Sequence, residues 1–461
     1  MKKFIWLLLL TLGLGSCKKF IDVNNDPNNP IDVQESLLLS PIEVNISSVV
    51  SSLGTVPIYV NHFMQNIALN QPVPNTGTYT VLNAEMDGDW SNLYVTCLNN
   101  LRILNNKAEA DALPNYSGIA KVLTAYCLGT ATDVWGDIPY KSALKGSSEF
   151  LPVYDKQEEI YASIQSLLDN AIADINKNSG KVPANDDFFY GGDMSKWKKL
   201  AYTLKARYFL HLTKAPGRTA AGQADIVLAA LQNGMVSNDD DLKFSYKGAA
   251  GQENPYYQLF LPISTVVLSS NLVDTLVARN DPRLSKLVSP AKQTGLYNGR
   301  GIGSVNVGSL EEYSLCGSTY ADAASTHFII NYSEALFIKA EATLIKSGFA
   351  AAQNIYTDAV KSHMKKLGIS INGVNDYLTR RGTLTTANAL QWIIEEKNIA
   401  DYLSLENFND WRRTGFPVLK KVPNAASDIP RRMLYPQVEI LSNPQPQQTA
   451  KLTDRVWWDV N

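Results

Sequence analysis

Amphipathic helical periodicity, repeated in pairs of helices, is the feature that most limits what this chain can fold into. From Glu334 the sequence reads EALFIKAEATLIKSGFAAAQNIYTDAVKSHMKKLG, with Ala and large apolar residues recurring at helical spacing on both sides of Gly348. Lys196 to Gly234 has the same form, with Pro216-Gly217 at its turn. Single stripes repeat the pattern. Asp155 followed by Glu158 reads as a capping box, ahead of Ile160, Ile164, Leu167, Leu168, Ala171, Ile172 and Ile175 on one face. Trp197, Leu200, Ala201, Leu204, Tyr208 and Leu212 follow Asp193 in the same way, and Leu390, Ile393, Ile394, the stem of Lys397 and Ala400 form a third stripe. The fold class expected is mostly α.

Both helix pairs approach the tetratricopeptide length of about 34 residues but lack its full consensus. They are either TPR-like or ordinary antiparallel helix hairpins. Between the helical blocks lies 237–328, rich in Gly, Ser and Asn, where Leu242 to Tyr246 alternates like a short strand. It reads as a loop-rich insertion with short β-hairpins on one side of a helical scaffold, and long loops in compact domains usually carry function.

Lys2 and Lys3, then an apolar stretch from Phe4 to Leu12, then Leu14-Gly15-Ser16-Cys17 form a secretory signal with a bacterial lipobox. The apolar stretch is shorter than the ~20 residues that span a bilayer. The expected organisation is a signal peptide over 1–16, a lipidated Cys17 and tether over 17–30, and one domain over 31–461. No later stretch reads as a membrane span. A lipid on Cys17 would hold the body on a membrane. A net charge of −2 gives no reason to expect nucleic acid. Cys97, Cys127 and Cys316 have neither disulfide nor zinc spacing, and Cys97 and Cys127 read as buried free thiols.

No catalytic motif stands out. His62, His211, His327 and His363 never fall at i, i+4, and there is no G-x-S-x-G or Walker A sequence. Gly299, Gly301 and Gly303 lack the strand and helix of a dinucleotide fingerprint. Asp87-Gly88-Asp89 and Asp239-Asp240-Asp241 could touch calcium but do not fit an EF-hand loop; both read as solvated loops, and no cofactor is expected. Tyr is in excess, 22 against 14 Phe and 8 Trp, which suits core packing and equally suits stacking on ring-shaped polar ligands.

Seven phrases, in order along the chain, resemble the SusD/RagB family of nutrient-binding outer-membrane lipoproteins of Bacteroidetes, and within it the SusD-like subgroup. They are Asp22-VNNDPNNP, Thr132-DVWGDIPY, Tyr190-GGDMSKWKKLAYTLKAR, Glu334-ALFIKAEA, Glu406-NFNDWRRTGFP, Pro430-RRMLYPQVE with Asn443, and Thr453-DRVWWDV. Phe408 stands where the family often has Trp. The resemblance implies an α-α superhelix of four TPR-like helix pairs with an irregular ligand face. It implies a cell-surface lipoprotein that captures oligosaccharides or peptides for a SusC-like TonB-dependent transporter, without catalysis.

The motif residues themselves, among them Trp411, Arg412 and Arg413, read as scaffold, with guanidinium groups bonding carbonyls and stacking on aromatics. Ligand contacts are expected from loop aromatics: Tyr79, Phe188 and Phe189, Tyr297, Tyr313 and Tyr320. A secreted glycan-degrading enzyme and a TPR-type protein-binding adaptor are the competing readings, since aromatics and carboxylates serve both binding and hydrolysis.

Overall fold

The computed structural model describes residues 34–445 and 449–460. The signal peptide, Cys17 and the tether over 17–30 lie outside the described residues. Helix α1 (Glu35–Asn45) continues through a π-helical stretch, Ile46–Leu53, into α2 (Thr55–Phe63). By length and composition alone this 29-residue run could cross a membrane, contrary to the sequence reading. It is instead a core element. Half of its apolar window is buried, and Leu39, Ile42, Ile46 and Val60 sit at 0% exposure within the main core.

The scaffold follows as α3 (Asn100–Ala110), α4 (Pro114–Trp135), α5 (Gln157–Asn176), α6 (Met194–His211), α7 (Ala220–Leu231), α8 (Tyr332–Ser347), α9 (Phe349–Lys366), α10 (Ala389–Ala400) and α11 (Glu406–Thr414). From α3 to α9 each packs on the next, and α10 lies on α8. Helix α4 is apolar or small on nearly every face and is buried along nearly all its length, as a helix at the centre of a bundle must be. Its glycines permit the close packing. A Cβ at Gly118 would come within 2.8 Å of Ile175, and one at Gly129 would overlap the Tyr208 ring.

The two helix pairs read from the sequence are present as α6–α7 and α8–α9. Gly348 takes φ 81° between α8 and α9, and Gly217 takes φ 73° between α6 and α7, values that favour glycine. Asp193 caps α6 by accepting from the Ser195 and Lys196 amides. Asp155 does not cap α5. It is paired with Ile138 in an antiparallel bridge, which aims its carboxylate at the Tyr140 and Lys141 amides at 2.9 and 2.8 Å. Asp137 takes the Gln157 amide at 2.9 Å in its place. Lys397 buries its ammonium as well as its stem.

The strand pairs are short and antiparallel, but their partners are distant in sequence. β1 (Ile67–Leu69) pairs with β3 (Val266–Leu268), with Ile67 opposite Leu268. β2 (Leu242–Ser245) pairs with β6 (Thr326–Ile330), and β4 (Val288–Ser289) with β5 (Leu315–Cys316). Long connections, not tight turns, join them. The β1–β3 and β4–β5 pairs and helix Ser270–Ala278 enclose a second core that includes Ile67, Val266, Leu268, Val273 and Tyr320. It supports the loops that build the candidate site.

Candidate functional site

The phrases singled out in the sequence converge on a buried ionic network rather than on a surface. Asp133 accepts from Tyr161 Oη at 2.5 Å, Trp458 Nε1 at 3.1 Å and Asn409 Nδ2 at 3.1 Å. His211 sits between Tyr161 Oη at 2.9 Å and Glu406 Oε1 at 2.8 Å. Arg207 grips Glu334 with two bonds of 2.7 and 2.6 Å, and Lys397 reaches Asp410 at 2.5 Å. Arg413 bonds Glu341 and Asp410. Arg412 lies 4.1 Å from the Phe408 ring centre and 4.6 Å from that of Trp458. Burial opposes the charge on His211, but Glu406 and Asp133 outweigh it and raise its pKa to about 9. All these groups are buried. The cavity among Asp133, Arg207, Glu406 and Asn409 has about 30 Å³, room for a single water. The network ties helices together and cannot receive a ligand.

The two acidic clusters are structural as well. Asp89 accepts from the Thr55 and Val56 amides at the start of α2. Asp240 and Asp241 are buried, contrary to the solvated-loop reading. Asp240 accepts from Lys199 and the Val236 amide, and Asp241 from Lys366 and the Tyr332 amide. Among the described residues no group of three His, Cys, Asp or Glu could hold a metal ion. Cys97, Cys127 and Cys316 are buried free thiols.

Three connections, 70–82, 291–313 and 416–429, are stitched into one face. Arg300, 2% exposed, donates to Asn70 Oδ1 at 3.0 Å and to the carbonyls of Gly301, Ser304 and Asn306 at 3.0, 3.3 and 2.7 Å. Asn70 Nδ2 returns a bond of 2.8 Å to the Gly308 carbonyl. The third connection joins through Asn424 Nδ2 to the Gly303 carbonyl (2.9 Å) and the Ala426 amide to the Thr78 carbonyl (2.8 Å). Between it and helix Ser270–Ala278 runs a groove of about 800 Å³, with Gln65, Asn66, Asn271, Asp274, Asn398 and Lys420 among its lining. The volume lies in the range of small-ligand sites. Gln65 and Asn66 are buried, and their amides donate to the Lys420 carbonyl and Asn61 Oδ1. Asn271, Asp274 and Lys420 are exposed and offer both donors and acceptors to the groove.

Of the aromatic residues expected to touch ligand, two are half-open, and neither lines the groove. Tyr297 and Tyr313 are half-buried in the second connection, and the Arg300 guanidinium lies 5.8 Å over the Tyr313 ring. Three others lie in the core, so the expectation that they are exposed fails. Tyr79, 2% exposed, does end the Asn75 turn with φ 65°, but its ring packs edge-on against Phe63 at 5.9 Å. Phe189 lies against Trp197 and Phe244, and Phe188 beside it is exposed. Tyr320 packs on Tyr402 at 5.1 Å. Each ring covers apolar surface that its own loop would otherwise leave in water. The groove residues were not singled out by the sequence, although Asn271, Asp274 and Thr275 form the polar face of an amphipathic helix.

A sequence model of the SusD-like family, described as starch-binding and associating with the outer membrane, matches residues 27–436. The chain belongs to the SusD-like family. Among similar solved structures, a chitin-binding protein is 26% identical, with a TM-score of 0.81, covering 93% of this chain and 100% of its own. A chitin-binding SusD homologue from Flavobacterium johnsoniae is 22% identical with a TM-score of 0.80, over 93% and 99% of the two chains. A SusD/RagB family protein from Bacteroides thetaiotaomicron is 23% identical with a TM-score of 0.81, over the same shares. No curated protein sequence matches the chain. The SusD-like fold is therefore shared along nearly the whole chain, and the family description names binding rather than catalysis.

Proposed function

We propose that this SusD-like chain binds a glycan across the loop-built face and groove, and delivers it to a SusC-like TonB-dependent transporter in the outer membrane. The observation that carries the reading is the family match over residues 27–436, with its starch-binding, outer-membrane description. Two chitin-binding proteins of the same fold support the ligand class. Starch and chitin are both neutral chains of hydroxyl-bearing rings. The exposed polar groups of Asn271, Asp274 and Lys420 suit the hydroxyls, and the half-open rings of Tyr297 and Tyr313 suit the apolar C–H faces. The chain binds without turnover and is held at the cell surface by lipid on Cys17.

Affinity electrophoresis of the purified protein tests the ligand class. Gels cast with starch or soluble chitin should retard it in at least one, and a Tyr313→Ala variant should run closer to the ligand-free position. Mobility unchanged in both gels would refute binding to this class. Release of reducing ends during incubation would favour the hydrolase reading instead.

A further inference from the structure

A second pocket, of about 510 Å³, shares no lining residue with the groove and lies among α3, α4, α5 and the connection that follows α4. Leu98, Leu101, Leu144 and Leu167 give it apolar walls, and Arg102, Lys121, Lys141 and Lys145 are its only charged lining groups among the described residues. Four cations and no carboxylate is an unusual lining for a chain of net charge −2. Two of the cations are already satisfied. Lys121 reaches Asp174 and Glu109 at 2.5 and 2.9 Å, and Lys141 reaches Glu159 at 2.8 Å.

The other two have no carboxylate partner among the described residues. Arg102 donates only to the neutral Asn99 Oδ1, at 3.0 Å, and Lys145 is exposed. Leu144 is held at φ 61°, a left-handed backbone that a bulky side chain rarely adopts and that often marks a working site. The same connection closes at its neck, where the Val153 amide donates to Ser142 Oγ at 3.0 Å. It also leaves Phe150 76% exposed, with Leu151 and Val153 open beside it.

We propose that this pocket binds an anionic amphiphile, meaning one carboxylate, phosphate or sulfate group on an apolar body. The apolar body lies against the leucine walls, and the anion pairs with Arg102 and Lys145, whose charge no carboxylate among the described residues neutralises. A guanidinium offers forked donors to such oxygens, and Lys145 adds a mobile point charge. The ligand differs in chemistry from the neutral glycan of the groove, so the two sites are independent.

Calorimetric titration of the full chain with monododecyl phosphate, below its micelle concentration, tests this. Saturable binding is expected, at least tenfold tighter than for dodecyl maltoside, which carries the same chain with no charge, and for inorganic phosphate, which has charge and no chain. Arg102→Glu with Lys145→Glu changes only surface-facing charges. It should weaken binding about tenfold or more, leaving the melting temperature and the retention in glycan gels unchanged. Sedimentation with phosphatidylglycerol vesicles separates the sources. If the wild type binds them more than the double variant does, the amphiphile is a membrane lipid; if the two sediment alike while only the wild type binds dodecyl phosphate, it is a free ligand. Equal affinity for the charged and neutral amphiphiles, or a double variant that binds dodecyl phosphate like wild type, would overturn the proposal.

Discussion

Arg300→Met should loosen the ligand face without unfolding the scaffold. The guanidinium makes four hydrogen bonds, to Asn70 Oδ1 and to the carbonyls of Gly301, Ser304 and Asn306. Gly301 and Asn306 are exposed and Ser304 is half-buried, so water can replace three of the four, at roughly 0.5–1 kcal/mol each. Asn70 is only 6% exposed, and its orphaned oxygen costs roughly 1–3 kcal/mol. The sum is about 2.5–6 kcal/mol, confined to the two connections that Arg300 joins. At about 1.4 kcal/mol per decade, the Ser304 and Asn306 amides, which among the described residues are those of 301–308 with an acceptor, should exchange with deuterium roughly 60-fold faster or more. Amides of α4 and α8 should be unchanged. The conservative variant Arg300→Lys cannot span the same acceptors and should recover little of the protection. If exchange at Ser304 and Asn306 is unaltered, Arg300 is not the clamp; if protection falls throughout α4 and α8, the effect is global and the local reasoning fails.

Three further outcomes are expected. His211 has its pKa raised to about 9, so its contribution is fully present below the unfolded value near 6.5 and is lost as pH rises through about 9. Urea titrations from pH 6 to 10 should show stability falling by up to about 3 kcal/mol more in wild type than in His211→Gln, and parallel curves would refute the assignment. Gly129→Ala would normally favour a helix by about 1 kcal/mol, yet the added Cβ meets the Tyr208 ring. It should instead cost about 1–3 kcal/mol, with the sign reversing in a Tyr208→Ala background; thermal melts of the four proteins check this. Cys17→Ser should leave an uncleaved precursor or release the protein from membranes, and a processed mutant that still fractionates with membranes would refute lipidation.

The scaffold was legible because its helices repeat one physical requirement, an apolar stripe at helical spacing, and Asp193 caps α6 through contacts two and three residues away. Asp155 has the same local pattern, but a bridge to Ile138 decides where its carboxylate points. Charged residues misled in a different way. Lys397, Asp240 and Asp241 resemble surface positions by residue type, and only their distant partners, Asp410, Lys199 and Lys366, make their burial possible. Tyr79 does end a turn, yet the sequence near it does not say whether a ring faces water or Phe63. The groove was the least legible feature. Its lining comes from four segments, 64–66, 270–279, 395–399 and 417–423, with two residues of 301–302, that no local pattern links.

Glycan capture at the loop-built face is tested most directly by calorimetric titration of the purified protein with chitin and starch hexasaccharides, followed by mass spectrometry of the recovered sugar. Saturable binding of at least one intact hexasaccharide is predicted, weakened about thirtyfold in Tyr313→Ala with an unchanged melting temperature. Absence of binding to both sugars, or recovery of shortened chains, would contradict the account.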